Sequence, residues 1–125
     1  MTLQEALDLT DEMKPNMMSR KLKIKYLQEI EQLIWAEIVL KHEHTAETEV
    51  KPAYTEDTDP GTALAVPDPY SMVYVYWLMT KIDMMNQEDG RYNVDRAHFE
   101  NAYQTMSDWW TRTFLPVSRN RELRI

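Results

Sequence analysis

The stretch that decides the fold is residues 68–85, which read DPYSMVYVYWLMTKIDMM. Every residue from Met72 to Met79 is apolar or aromatic, so a helix here is apolar all the way around. Such a helix is buried on all sides, and a domain of 125 residues has few other elements to cover it. We therefore expect part of its surface to serve a partner protein, with the candidate interface residues Tyr70, Tyr74, Tyr76 and Trp77.

The boundaries of this helix are indicated by residues with known preferences at helix ends. Aspartate suits the N-cap and proline suits the first helical position, so Asp68 and Pro69 predict its start. Gly90 is a natural C-cap, because glycine adopts the backbone geometry that ends helices. The sequence therefore predicts a helix over 69–88.

Three more helices are predicted on either side, over residues 3–13, 17–42 and 94–114. The first begins with a capping box between Thr2 and Glu5, in which each side chain bonds the other residue's backbone. The second and fourth show apolar residues at helical spacing. Across the four helices we predict one buried core: Ile30, Ile34, Tyr74, Trp77, Leu78, Ile82, Phe99, Met106 and Trp110.

The segment 46–66 has a different pattern from the helices. Two short extended runs flank the turn cluster Glu56–Gly61, which is the arrangement of a β-hairpin. Pro52 limits its strand to an edge or a bulge, and a flexible acidic loop is the alternative. The fold class is therefore mainly α, with about four helices and a short β-hairpin or extended loop between the second and third.

Composition indicates one helical domain over residues 1–116, followed by a basic C-terminal tail over 117–125. The chain has no cysteine, which excludes disulfides and thiolate metal sites. No apolar run approaches the roughly 20 residues that cross a bilayer. The N-terminus is acidic and amphipathic, unlike a signal peptide, so we expect a cytoplasmic protein without a membrane partner.

Charge is distributed unevenly along the chain. The formal net charge is -7, which argues against tight binding of nucleic acid. A basic group lies at the start of the second helix, and an acidic group lies in the following segment. These two groups are either ordinary solvated surface or complementary surfaces of an interface. In the second case the candidate interface residues are Arg20, Lys21, Lys23 and Lys25 against Glu47, Glu49 and Glu56.

Residue patterns that carry chemistry are missing from the sequence. His42 and His44 are two residues apart, whereas a helical zinc motif needs histidines at i and i+4. No serine lies in a nucleophile elbow, and no glycine-rich loop could hold a phosphate. We therefore expect no enzyme activity, no catalytic residue, no metal, no cofactor and no small-molecule substrate.

The order of elements resembles that of the head–tail connector (head-completion) proteins of tailed bacteriophages and prophages. The resemblance covers nearly the whole chain and rests on TLQEALDLTDEMKPN at residues 2–16 and on residues 67–112, with PDPYSMVYVYWLMTKIDMMNQEDGRYN followed by AHFENAYQTMSDWW. The basic segment from Arg20 to Lys25 has no counterpart that we can assign to the family.

This resemblance implies a structural protein that forms a homo-oligomeric ring beneath the portal. Its expected partners are other copies of itself, the portal and a tail completion protein, with DNA only passing non-specifically. The expected location is the virion, and the bacterial host cytoplasm during assembly. The alternative is a small helical adaptor or regulatory protein that binds a single protein partner.

Overall fold

A computed structural model describes residues 1–117 of the chain. It is mainly α-helical, with four α-helices, α1 to α4. They are α1 Leu3–Met13, α2 Arg20–Ile34, α3 Met72–Met85 and α4 Asp89–Thr113. Within residues 1–117, no helix combines the length and the apolarity needed to span a membrane. The predicted tail over 117–125 lies, apart from Val117, outside the described residues.

Helix α1 begins and ends as predicted. The Thr2 hydroxyl accepts from the Glu5 backbone N–H at 3.1 Å, and Glu5 Oε1 accepts from the Thr2 N–H at 3.3 Å. At the other end, Lys14 has an extended backbone just before Pro15, because the residue before a proline avoids helical geometry. The helix buries Leu3, Ala6, Leu7 and Thr10.

Helix α2 is capped by Ser19, whose hydroxyl accepts from the Leu22 N–H at 3.1 Å. It continues without a break into a π-helical segment over Trp35–Val39, where Leu40 N–H donates to Trp35 O at 3.0 Å. The helical chain thus covers most of the predicted 17–42. The π turn has no signal in the residue pattern.

The hairpin predicted in 46–66 is not formed, and the extended loop is what the structure has. A 3₁₀ helix, Ala46–Glu49, begins the segment. Its later part pairs with the N-terminus, where Leu3 N–H donates to Thr62 O at 2.8 Å. Its earlier part is held by α2, because Gln32 Nε2 donates to Pro52 O at 2.8 Å. Each half of the loop is therefore bonded to another part of the chain, and the two halves do not pair with each other as the strands of a hairpin would.

Three boundary residues near α3 and α4 were wrongly interpreted from sequence. Asp68–Pro69, joined by a cis peptide, lies in turns before α3, and Ser71 Oγ donates to the Asp68 carboxylate that was expected to cap the helix. The turn between α3 and α4 uses Gln87, with φ of 55°, as its left-handed residue. Gly90 therefore lies inside the first turn of α4 instead of capping α3, and α4 begins at Asp89, five residues before the predicted start at 94.

The predicted core is confirmed residue by residue. Helix α3 packs against α4, α1 and α2, so its apolar run from Met72 to Met79 is covered, whereas Met84 and Met85 at its C-terminal end are exposed. All nine predicted core residues are buried, and all but Ile82 belong to one hydrophobic cluster. Leu64 and Val66 of the loop join this cluster and close it over α2 and α3.

Candidate assembly surfaces

Two of the four aromatic residues predicted at an interface lie inside the molecule. Tyr74 is fully buried, and its hydroxyl donates to Glu31 Oε1 at 2.6 Å. Trp77 is buried as well, and its indole N–H donates to Tyr26 O at 3.0 Å. Neither side chain is available to a partner while this fold is intact.

The other two aromatic residues are partly covered by α4. Tyr70 stacks on Trp109 with ring centroids 5.1 Å apart, and Tyr76 stacks on His98 at 5.3 Å. Every residue from 70 to 79 is buried or partly buried. The apolar surplus expected on α3 is therefore absent, because the 25 residues of α4 cover the face that seemed to need a partner.

The basic start of α2 is partly engaged within the chain. The Lys23 ammonium is buried and lies 2.5 Å from Asp11 Oδ1. The Arg20 guanidinium donates to Gln4 Oε1 at 2.6 Å. Lys21 and Lys25 are exposed, so they are the two basic residues of this group that present their charge most freely.

Lys21 and Lys25 line a cleft between α2 and the loop. On the opposite wall lie Glu56 and Asp57 of the same chain. The cleft has a volume of about 440 Å³, and Ile24 and Tyr54 contribute apolar surface to it. Part of the charge complementarity expected between two molecules is thus found across one cleft within one molecule.

The acidic candidates Glu47, Glu49 and Glu56 are all exposed. Glu47 and Glu49 lie in the 3₁₀ helix Ala46–Glu49, and Glu49 Oε1 is 3.2 Å from His44 Nε2. The structure does not bring these two glutamates to the cleft at Lys21, whose acidic wall is formed by Glu56 and Asp57.

A buried carboxylate holds the loop against the helices. Glu31 Oε2 accepts from the Tyr54 hydroxyl at 2.9 Å and from the Ala65 N–H at 3.0 Å. Its Oε1 accepts from Tyr74, whose hydroxyl oxygen also accepts from the Val66 N–H at 2.9 Å. Burial raises the pKa of Glu31, and the hydrogen bonds from Tyr74, Ala65 and Tyr54 oppose that rise only in part. We name these hydrogen bonds around Glu31 the Glu31 hub; they hold the loop to α2 and α3, and the Glu31 side chain is buried.

A second buried ionic group joins α1, α3 and α4 at one end of the molecule. The Lys14 ammonium contacts the Asp83 carboxylate and lies 2.6 Å from Asp95 Oδ2. Burial and a hydrogen bond shared with Asp95 raise the pKa of Asp83 to about 6. Burial would also raise the pKa of Asp95, but its hydrogen bonds to Asp83 and Lys14 lower it. Among the described residues, Asp83 Oδ2 is buried without a hydrogen-bond partner.

The same end of the molecule exposes a group of large apolar side chains, which we name the methionine end. Its members are Met13, Met17, Met84, Met85 and Val94. Met17 lies on the connection between α1 and α2, and the others lie on the helix ends that meet at the Lys14 ionic group. Met84 and Met85 are 54% and 55% exposed, and Met17 is 94% exposed. Sequence reasoning missed this surface, although a Met pair that ends a fully apolar helix is a usable signal.

The opposite end of α4 exposes a different apolar surface. Leu115 and Val117 are 69% and 50% exposed. They follow the end of α4 and pair with the chain after α2, because Glu43 N–H donates to Leu115 O and Val117 N–H donates to Lys41 O, both at 2.8 Å. Since α4 has 25 residues at 1.5 Å each, the two apolar ends are about 36 Å apart along it.

The histidines do not form a metal centre in the described part of the chain. His42 Nδ1 lies 2.7 Å from Ile38 O, and His44 Nδ1 lies 2.7 Å from His42 O. Within residues 1–117, no group of three or more histidine or acidic side chains is arranged to hold a metal ion.

Comparisons with known proteins add no relative. No protein-family model, no curated protein and no solved structure matches this chain.

Proposed function

We propose that this protein is a structural subunit of a phage or prophage head–tail connector, which assembles head to tail into a ring between portal and tail. The observation that carries the proposal is the presence of two different exposed apolar surfaces at opposite ends of α4: the methionine end, and Leu115 with Val117. A ring built by one repeated contact needs two unlike surfaces on each subunit.

Burial elsewhere in the molecule supports this assignment of the surfaces. The aromatic face of α3 is covered within the chain, so the apolar area that remains free is concentrated near the helix ends. Exposed methionines are suited to contacts with partners, because their flexible and polarizable side chains adapt to different shapes. The formal net charge of -7 fits a channel through which DNA passes without being held.

The order and type of the elements supply the link to phage connectors. A short helix, a long helix, an extended acidic loop, a fully apolar helix and an aromatic helix follow one another here as in that family. The portal and a tail completion protein are therefore the partners that we propose beside other copies of this chain.

The head-to-tail contact is tested by two single substitutions at opposite ends. Sedimentation velocity over a wide concentration range, at low salt, compares the parent with Met85→Glu and with Leu115→Glu. We expect each substitution alone to weaken association, because each removes one of the two unlike surfaces. Leu33→Glu, at an exposed apolar side chain near the C-terminal end of α2, is the control. If only one of the two ends responds, the contact is a symmetric dimer, and the ring is wrong.

A second candidate function is a small adaptor that binds one protein partner. The cleft between α2 and the loop favours it, because Lys21 and Lys25 face Glu56 and Asp57 across apolar surface. An adaptor would remain monomeric at every concentration and would lose its partner on Lys21→Glu with Lys25→Glu. The two end substitutions would then have no effect.

A further inference from the structure

The methionine end combines apolar surface with acidic charge. Around Met84, one cleft is lined by the acids Asp83 and Asp89 and by no base, and beside Val94 a second cleft is lined by Asp95 together with Lys14 and Arg91. A ligand that suits this surface carries positive charge beside apolar side chains.

A cleft at this end gives the acidic charge a definite position. It has a volume of about 500 Å³ and is lined by Asp83, Met84, Gln87, Asp89 and Tyr92. Asp83 is fully buried, and its Oδ2 has no hydrogen-bond partner among residues 1–117. The exposed carboxylate in this cleft is that of Asp89, and a guanidinium is the group that pairs most strongly with a carboxylate. The ring of Tyr92 offers a face on which a guanidinium stacks.

The chain itself contains a segment of the matching chemistry. Residues 118–125 read SRNRELRI, with three arginines against one glutamate and with Leu123 and Ile125 as apolar side chains. This segment follows Val117, at the opposite end of α4 from the methionine end. Eight extended residues span at most about 28 Å, whereas α4 with its 25 residues is about 36 Å long. A second copy is therefore better placed than the same copy to receive it.

We propose that the methionine end is a docking site for residues 118–125 of a second copy of this chain. An arginine of that segment enters the acidic cleft at Asp83 and Asp89, while Leu123 and Ile125 cover Met84 and Met85. The site rests on the proposed function, because it names the contact that joins one subunit to the next. Its two parts are unlike surfaces of one chain, so the contact repeats head to tail.

The first test uses a fluorescein-labelled peptide of sequence SRNRELRI. The receptor is the full-length chain with Arg119→Ser, Arg121→Ser and Arg124→Ser, so that its own segment neither competes with the peptide nor attracts it. Fluorescence anisotropy at low salt is expected to show saturable binding that weakens as salt screens the charges. No binding up to about 1 mM peptide, which corresponds to about 4 kcal/mol, overturns the proposal.

Matched variants separate this site from non-specific charge. Met84→Ser with Met85→Ser in the receptor, which removes apolar surface and keeps every charge, is expected to weaken binding at least about tenfold, as for the centre of an interface. Val50→Ser, at an apolar side chain that is 76% exposed and away from this end, is expected to leave binding unchanged. A peptide with Leu123→Ser and Ile125→Ser, which keeps every charge, is expected to bind more weakly. Equal binding in all these comparisons overturns the site.

A mixing experiment tests the direction of the contact. The chain with Arg119→Ser, Arg121→Ser and Arg124→Ser keeps its methionine end, and the chain with Met84→Ser and Met85→Ser keeps its C-terminal segment. Each alone is expected to remain monomeric in sedimentation, whereas their mixture forms a dimer of one copy of each. A mixture that remains monomeric at concentrations where the parent associates overturns the proposal.

The outcomes distinguish this site from the connector function. If the parent forms rings or docks to a portal while the peptide does not bind, the docking site is wrong and the connector stands. If the peptide binds as described while the parent never docks to a portal, the docking site stands and the connector is wrong.

Discussion

Replacing Asp83 by asparagine is predicted to change how the stability of the protein depends on pH. Asp83 is fully buried beside Lys14 and Asp95, whose side chains are only 11% and 9% exposed. An amide at this position still accepts from the Lys14 ammonium and can donate to the Asp95 carboxylate. It therefore reproduces the protonated form of Asp83 and removes a buried negative charge.

The magnitude follows from the pKa of Asp83, which rises from 3.8 to about 6 on folding. Because the folded state holds this proton more tightly than the unfolded state, the free energy of unfolding falls as pH rises from about 4 to about 6. At about 1.4 kcal/mol per pKa unit, the full loss is about 3 kcal/mol. The lowered pKa of Asp95 acts below pH 4, outside this window, since its stabilisation is present above its ordinary value.

The measurement is urea unfolding of the parent and of Asp83→Asn at several pH values from 4 to 8. The two proteins are expected to have nearly equal stability at pH 4. At pH 7.5 the variant is expected to be more stable, by up to about 3 kcal/mol. Glu31 also has a raised pKa, but it is present in both proteins, so its effect cancels in the difference. A difference that does not change with pH, or a variant less stable at pH 7.5, refutes this reasoning.

Three further predictions concern the core, the Glu31 hub and the histidines. Ile34→Ala removes a fully buried side chain and should cost about 2–5 kcal/mol in chemical denaturation; a loss below about 1 kcal/mol contradicts its place in the core. Tyr54→Phe removes one hydrogen bond to Glu31 and should cost about 1.5–3 kcal/mol if Glu31 is ionised, whereas an unchanged stability contradicts the hub. Added zinc should leave the melting temperature nearly unchanged; a saturable rise that disappears in the double variant His42→Ala, His44→Ala contradicts this.

The sequence predicted the helices well where the residues that interact in the fold are also close together in the chain. The capping box of α1 joins Thr2 to Glu5, three residues away, and the structure forms it. The apolar spacing that includes Ile30 and Ile34 identified the buried face of α2. The uninterrupted apolar run of α3 indicated a helix in the core, and that is confirmed, whereas the uncovered remainder expected for a partner is absent from residues 72–79.

Residues with two competing partners were not predictable in this way. Gly90 suits a helix end, but Gln87 takes the left-handed position three residues earlier, so Gly90 enters α4. Lys23 belongs to a basic run in sequence, but its ammonium pairs with Asp11 of α1 once the two helices meet. Glu31 gave no signal on its own, because its partners lie in the loop and on α3.

The exposure of the candidate interface residues was likewise predictable only in part. Exposure of Lys21 and Lys25 agrees with their polar pattern, whereas Tyr74 is buried against α2 and the loop, where its hydroxyl bonds Glu31 and Val66. The methionine end arises only where the ends of α1 and α3 and the start of α4 come together around Lys14. The residue pattern of a single helix does not indicate how the ends of three helices come together.

The most direct measurement of the connector function uses the portal that this chain is proposed to join. The parent chain is mixed at low salt with a purified phage portal ring, and the product is imaged by electron microscopy. The account predicts an added ring of this protein on one face of the portal, which is lost with Met85→Glu and retained with Leu33→Glu. A portal that stays bare at every concentration, together with a chain that sediments only as a monomer, contradicts it.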